Sequence, residues 1–139
     1  MTGHAEVIAG LREPTRALRQ AAPDAWAGFG ALHDATFAEG ALPSKVKELT
    51  ALAIAVVKRC DGCIAYHAKA AARLGATEAE VAEALSVALL MDGGTATVYG
   101  PRAFDAYREF AVGASAPVTH SVPRGGAPTA EAGELRRLG

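Results

Sequence analysis

No stretch of this chain alternates apolar and polar side chains with the period of two that a half-buried strand needs, while alanine is abundant and aromatics make up only 6%. Such a chain buries its apolar surface best as packed helices, so the expected fold class is all-α. The 139 residues, half of them apolar, suffice for one modest core and not for two.

The helical spacings divide the chain. Val7, Ile8, Leu11 and Leu18 mark a segment from about 4 to 21, in which Pro14 is expected to break or kink the helix. Trp26, Phe29, Leu32 and Phe37 follow in a helix from about 24 to 39, with Asp24 as its cap and Gly40 as its stop. Ser44 is expected to cap a mostly buried third helix that runs through Leu49, Leu52 and Val56 to about Arg59. Asp61 and Gly62 interrupt the pattern, after which Cys63 to Leu74 is strongly helix-forming and Gly75 supplies the stop. Thr77 and Glu80 form a capping box ahead of Val81, Leu85, Ala88 and Leu89, all on one helix face. A turn at Asp92-Gly93-Gly94 leads to a last helix from about 95 to 111, with Pro101 at a kink or a fresh first turn. These segments make one domain, residues 1–112. From 113 to 139 proline and glycine punctuate a stretch with few large apolar residues, which reads as a tail, with Leu135 and Leu138 able to anchor a short terminal helix.

Fourteen basic against fifteen acidic side chains leave a formal charge of -1, which gives no footprint for nucleic acid or for a polybasic membrane anchor. The N-terminus lacks the pattern of a secretory signal, and no run of about eighteen uninterrupted apolar residues suggests a membrane span. A soluble, cytoplasmic protein is expected. Reducing conditions there make a purely structural disulfide improbable, so a cysteine pair needs another reason to exist.

The two cysteines, Cys60 and Cys63, stand three apart, a spacing that random placement would give roughly one time in seventy. On a helix Cys60, Cys63 and His67 share a face, and a helix beginning near Cys60 would offer free N–H groups and its positive dipole end to a thiolate. Glu48, separated from Cys60 by eleven residues, would meet His67 if the third helix lay antiparallel to the cysteine helix, there to orient the imidazole or accept its proton. Plainer readings compete. Both cysteines could be small core residues, and Glu48 could simply favour the dipole near its helix start. Closed zinc sites usually need four nitrogen or sulfur ligands, and only two cysteines and one aligned histidine are evident. Tyr66 could cover the site or serve core or interface packing. No glycine-rich strand-turn-helix fingerprint for a flavin or nicotinamide is present, and no bound cofactor or metal is expected.

The pattern of a glutamate, eleven residues, then C-x-x-C-x-x-x-H, with matching flanks at Leu42-Pro43 and at Met91 to Phe104, resembles the AhpD-like (alkylhydroperoxidase) branch of the carboxymuconolactone decarboxylase superfamily. The resemblance covers residues 24 to 111. It implies a helical bundle assembled as a homo-oligomer, a trimer or hexamer, acting as a peroxidase or thiol-disulfide oxidoreductase through a redox-active Cys60–Cys63 disulfide. It further implies that Cys63 attacks a hydroperoxide or disulfide substrate, Cys60 resolves the intermediate, and Glu48 and His67 relay the proton. A dihydrolipoyl-bearing protein or other dithiol would supply electrons, and a peroxiredoxin would be a downstream partner. In many other C-x-x-C enzymes the first cysteine is the nucleophile, so the order of attack stays open. Two other functions keep the fold: a carboxymuconolactone decarboxylase-type lyase using His67 as acid or base, and a non-catalytic, redox-responsive oligomer.

Overall fold

The structure, a computed structural model, describes residues 3–114, and every regular element within them is helical. In chain order these are α1 (His4–Ala21), α2 (Pro23–Phe37), α3 (Ser44–Val57), α4 (Asp61–Arg73), α5 (Glu78–Asp92) and α6 (Ala96–Ala114), with one 3₁₀ turn, Gly93–Thr95, before the last. The expected all-α class is what the chain forms. Residues 115–139, including Leu135 and Leu138, lie outside the described residues.

Helix α4 is the centre of the bundle, packed chiefly against α6 and α3 and crossed by α1, while α5 lies on α3 and α6. Its inward face consists of Ile64, Ala65, Ala68 and Ala71, all with no exposed surface. Methyl-sized side chains let neighbouring backbones come close, and the larger Leu52, Val56 and Val81 fill the spaces from α3 and α5. Tyr107 of α6 closes the bundle behind them. Its hydroxyl donates to the Ala76 carbonyl at 2.6 Å, and burial pushes its pKa above the ordinary phenol value.

Several expected boundaries move for identifiable reasons. The Thr77–Glu80 capping box forms as expected, with Thr77 Oγ1 accepting from the Glu80 amide and Glu80 Oε2 from the Thr77 amide. Glu80 also takes the Lys45 ammonium at 2.8 Å, and this contact, ahead of the Thr77 amide, holds its carboxyl below the usual range. Asp24 is not the cap of α2: Pro23 occupies the first turn, its fixed φ ready for a helix, and no side chain caps the end. Ser44 is likewise the first residue of α3 rather than its cap, and its Oγ donates to the Phe37 carbonyl at 2.6 Å. Neither Pro14 nor Pro101 ends a helix. Each proline leaves one carbonyl unpartnered in its helix, at Gly10 and Thr97, and both of those residues are exposed, so water can take the place of the missing N–H. The last helix continues past 111 to Ala114. Helix α3 buries one face rather than most of itself, since Ile54 and Val57 are exposed, and Leu89 on α5 is exposed too. Helix α2 has no buried residue, and its Phe29 and Leu32 are 62% and 63% exposed.

The stretch Glu78–Ala114 is apolar and long enough to cross a bilayer by composition alone. It is two helices packed on one another, lining a common groove through Leu85, Leu89, Ala96 and Phe104. The 15 residues of α5 reach about 22 Å, short of the roughly 30 Å of bilayer hydrocarbon. Helix α6 carries Arg102, Asp105, Arg108 and Glu109 along its length.

The start of α1 is fastened to α6 by two carboxylates, Asp105, which meets His4 Nε2 at 3.3 Å, and Glu109. Glu109 accepts the backbone N–H groups of Ala5 and His4, each at 2.9 Å, satisfying two donors that a helix start leaves free. Those two hydrogen bonds, Ala5 first, hold its carboxyl below the ordinary value. Because the folded pKa is lowered, the contribution is present above the unfolded value near 4.5 and is lost as pH falls through the folded one. At neutral pH Glu109→Gln is therefore expected to speed hydrogen exchange at the His4 and Ala5 amides and to remove the acid-side change in that rate. Unchanged exchange in the variant would show that the clamp contributes nothing.

Candidate active site

The helix pair α3–α4 is joined by only Lys58, Arg59 and Cys60. Arg59 adopts φ 55°, the left-handed conformation more usual for glycine, and the Cys60 amide donates back to the Ala55 carbonyl at 3.2 Å. This is a Schellman-type closure, which reverses the chain within one turn and delivers Cys60 to the start of α4. There Cys60 is the N-cap residue, and its Sγ accepts the Cys63 N–H at 3.2 Å. Cys60 and Cys63 stand at disulfide-bonding distance, with Cα atoms 5.2 Å apart, and both are half-buried. The sequence placed the start of this helix at Cys63; the structure starts it two residues earlier, so that Cys60 sits at the free amides rather than within the helix.

Gly62 between the cysteines has a steric reason. A Cβ there would stand 3.1 Å from Leu11 Cδ1, so glycine lets α1 lie across the centre. On the other side Asp61 meets Arg102 at 3.4 Å, and the Arg102 guanidinium lies over the Tyr99 ring.

One turn beyond Cys63 on α4, His67 Nδ1 meets Glu48 Oε2 at 2.7 Å. Glu48 is 6% exposed, the only charged side chain among the described residues to be buried. It belongs to the second turn of α3 and not the first, which weakens the reading of Glu48 as a residue placed for the helix dipole. Burying a carboxylate without a partner is costly, and the imidazole is the partner. A carboxylate only accepts, so Nδ1 is the donor of this contact, and in the neutral ring Nε2 is the nitrogen that keeps its lone pair. His67 is four residues from Cys63 on one face of α4.

The four expected residues thus fall into two joined pairs on neighbouring turns. Tyr66 is 45% exposed and points away from the core. Sequence reasoning missed Phe37, whose ring stacks on His67 with centroids 5.6 Å apart, and His33 beyond it at 4.7 Å from Phe37. The His33–Phe37 spacing of four was visible in the sequence, but the approach of α2 to α4 is tertiary. Among the described residues no cluster of three or more His, Cys, Asp or Glu side chains could hold a metal ion.

An all-helical bundle with a cysteine pair at the start of its central helix and a buried Glu–His pair beside it defines a recognisable class. The profile of the Carboxymuconolactone decarboxylase family matches residues 23–109, and the chain belongs to that family. It is similar to the uncharacterized protein H16_B0147 of Cupriavidus necator, 42% identical over 93 residues that make up 65% of this chain and 82% of that one. A second relative is uncharacterized protein 4 in the cox locus of Paracoccus denitrificans, 43% identical over 75 residues, 54% of this chain and 68% of the relative. Among solved structures, apo-lpg0406, a carboxymuconolactone decarboxylase family protein from Legionella pneumophila, superposes with a TM-score of 0.76 at 35% identity. That match covers 78% of this chain and 96% of the other.

Proposed function

We propose that the protein is an AhpD-like thiol-disulfide oxidoreductase that reduces hydroperoxides through Cys60 and Cys63. The observation that carries this reading is a cysteine couple at the N-terminus of α4 together with His67 four residues after Cys63 on the same helix, hydrogen-bonded to the buried Glu48 of α3. In the forward half, His67 Nε2 takes the Cys63 thiol proton, and the thiolate attacks the terminal side of the O–O bond. Cys63 becomes a sulfenic acid, and the proton returns to the alkoxide, which leaves as alcohol. The Cys60 thiol then displaces water and forms the disulfide. In the return half an external dithiol, of the dihydrolipoyl type, attacks Cys63 and releases Cys60 as thiolate; a second exchange frees Cys63 and leaves the donor as a disulfide. The Cys63 N–H that Cys60 accepts suits Cys60 to that leaving role, because a stabilised thiolate leaves faster.

The exposed Phe29 and Leu32 of α2 and the exposed Val87, Leu90 and Met91 of α5 support assembly as a homo-oligomer within the same proposal. A peroxiredoxin partner and a cytoplasmic setting belong to it as well.

The test is thiol titration by mass spectrometry on reduced protein, before and after stoichiometric peroxide, with sedimentation alongside. Loss of both thiols to one internal bridge, reversible by a dithiol, is expected. Thiols that persist, together with lactone decarboxylation insensitive to alkylation, would favour the lyase chemistry of the family instead. A disulfide that forms and alters assembly without turnover would point to a redox-responsive oligomer.

A further inference from the structure

We infer that Phe37 is a positioning residue for the His67 imidazole, an assignment that rests on the proton-carrier reading of His67. A hydrogen bond from Nδ1 to Glu48 fixes one edge of the ring but tolerates rocking about the Cβ–Cγ bond, and Nε2 would swing as the ring rocked. A second ring laid against its face removes that freedom. Phe37 does this from α2, with ring planes inclined by 26° and centroids 5.6 Å apart. His33, one turn earlier, backs Phe37 from 4.7 Å.

The approach of Phe37 is built rather than incidental. Where α2 ends, three polar contacts staple it to the first turn of α3. Ser44 Oγ donates to the Phe37 carbonyl at 2.6 Å, Lys47 Nζ to the Ala38 carbonyl at 2.6 Å, and the Ser44 amide to Glu39 Oε1 at 3.1 Å. Phe37 and Trp26 are half-buried while Phe29 and Leu32 on the same helix are exposed; Trp26 lies under Arg19 of α1, and Phe37 is the ring by which α2 meets the end of the bundle that holds His67. The same segment of α3 that carries Glu48 therefore also fixes Phe37, and the imidazole is held by its edge and its face from one support.

The experiment compares Phe37→Ala, Phe37→Leu and Phe37→Tyr with wild type and His67→Ala in steady-state peroxide reduction, with folding followed by circular dichroism. Loss of the ring is expected to lower kcat about tenfold with KM little changed, as loosening a supporting group misplaces a proton carrier. Leucine, which fills space without a flat face, should behave like alanine, and tyrosine should restore the rate. In ¹⁵N NMR the His67 ring should give one tautomer, protonated at Nδ1, in wild type and Phe37→Tyr and a mixture in Phe37→Ala. Ser44→Ala, which removes one of the three contacts of the staple, should reproduce a weaker form of both effects. A Phe37→Leu protein with wild-type kcat and a single tautomer would overturn the inference while leaving a slow His67→Ala intact. Wild-type turnover in His67→Ala would instead remove the proton-carrier reading on which it rests.

Discussion

Cys60→Ser protein is expected to react with a hydroperoxide once and stop. Its remaining thiol, Cys63, attacks as before, but with no second sulfur to displace water the product is a sulfenic acid, visible as one added oxygen by mass spectrometry and trapped by a carbon nucleophile such as dimedone. Cys63→Ser protein is expected to keep its Cys60 thiol through the same treatment, because it has lost the sulfur four residues from His67. Turnover with a dithiol donor should fall in both by about a thousandfold or more, the scale on which loss of a covalent group is felt. The asymmetry decides the order of attack. If Cys63→Ser is instead the variant that takes up oxygen, the amide at the start of α4 activates Cys60 more than the imidazole activates Cys63, and the roles exchange. If either variant turns over at the wild-type rate, the sulfur chemistry is not the function.

The second large effect concerns Glu48 and His67, where activity and stability separate. His67→Ala should slow turnover by about 10² to 10³, the range of a positioned acid-base group, and should also destabilise the fold by about 2 kcal/mol. The cost in stability arises because Glu48 is left buried and without the partner now 2.7 Å away; it stays below the upper range for such pairs because the imidazole side is 23% exposed. Glu48→Gln should fold well, since an amide can still accept from Nδ1, yet lose rate, since it no longer favours the imidazolium. The double replacement Glu48→Leu with His67→Leu should recover most of the stability and none of the activity. Denaturant melts beside kinetics measure both. A double variant less stable than His67→Ala would show that the pair is held for packing rather than for its proton.

The readings that succeeded from sequence were those written in local spacing. Thr77 and Glu80 close their box within four residues, and Cys60 and Cys63 meet across one turn at the start of a helix, so short-range geometry alone put each pair together. Glu48 was reachable because its distance from His67 along the chain fits two antiparallel helices joined by a tight link. What failed depended on surroundings that no local window contains. Ser44 is taken from the capping role by the Phe37 carbonyl, and Asp24 yields its expected role to a first turn that Pro23 opens. Phe29 and Leu32, apolar residues that mark α2 in the sequence, are exposed, which no local spacing reveals. Phe37 was named among those apolar residues, and its partnership with His67 exists only once α2 is stapled to α3.

The alanines along the inner face of α4 set how forgiving this scaffold can be. Ile64, Ala65, Ala68 and Ala71 have no free surface, so α4 runs with little clearance against the helices packed on it. Thermal motion has little room there, and so does evolution: an extra methylene at Ala65 or Ala68 would push a neighbouring helix outward. The spacing of the bundle is thereby entrusted to its smallest side chains, which carry no chemistry of their own.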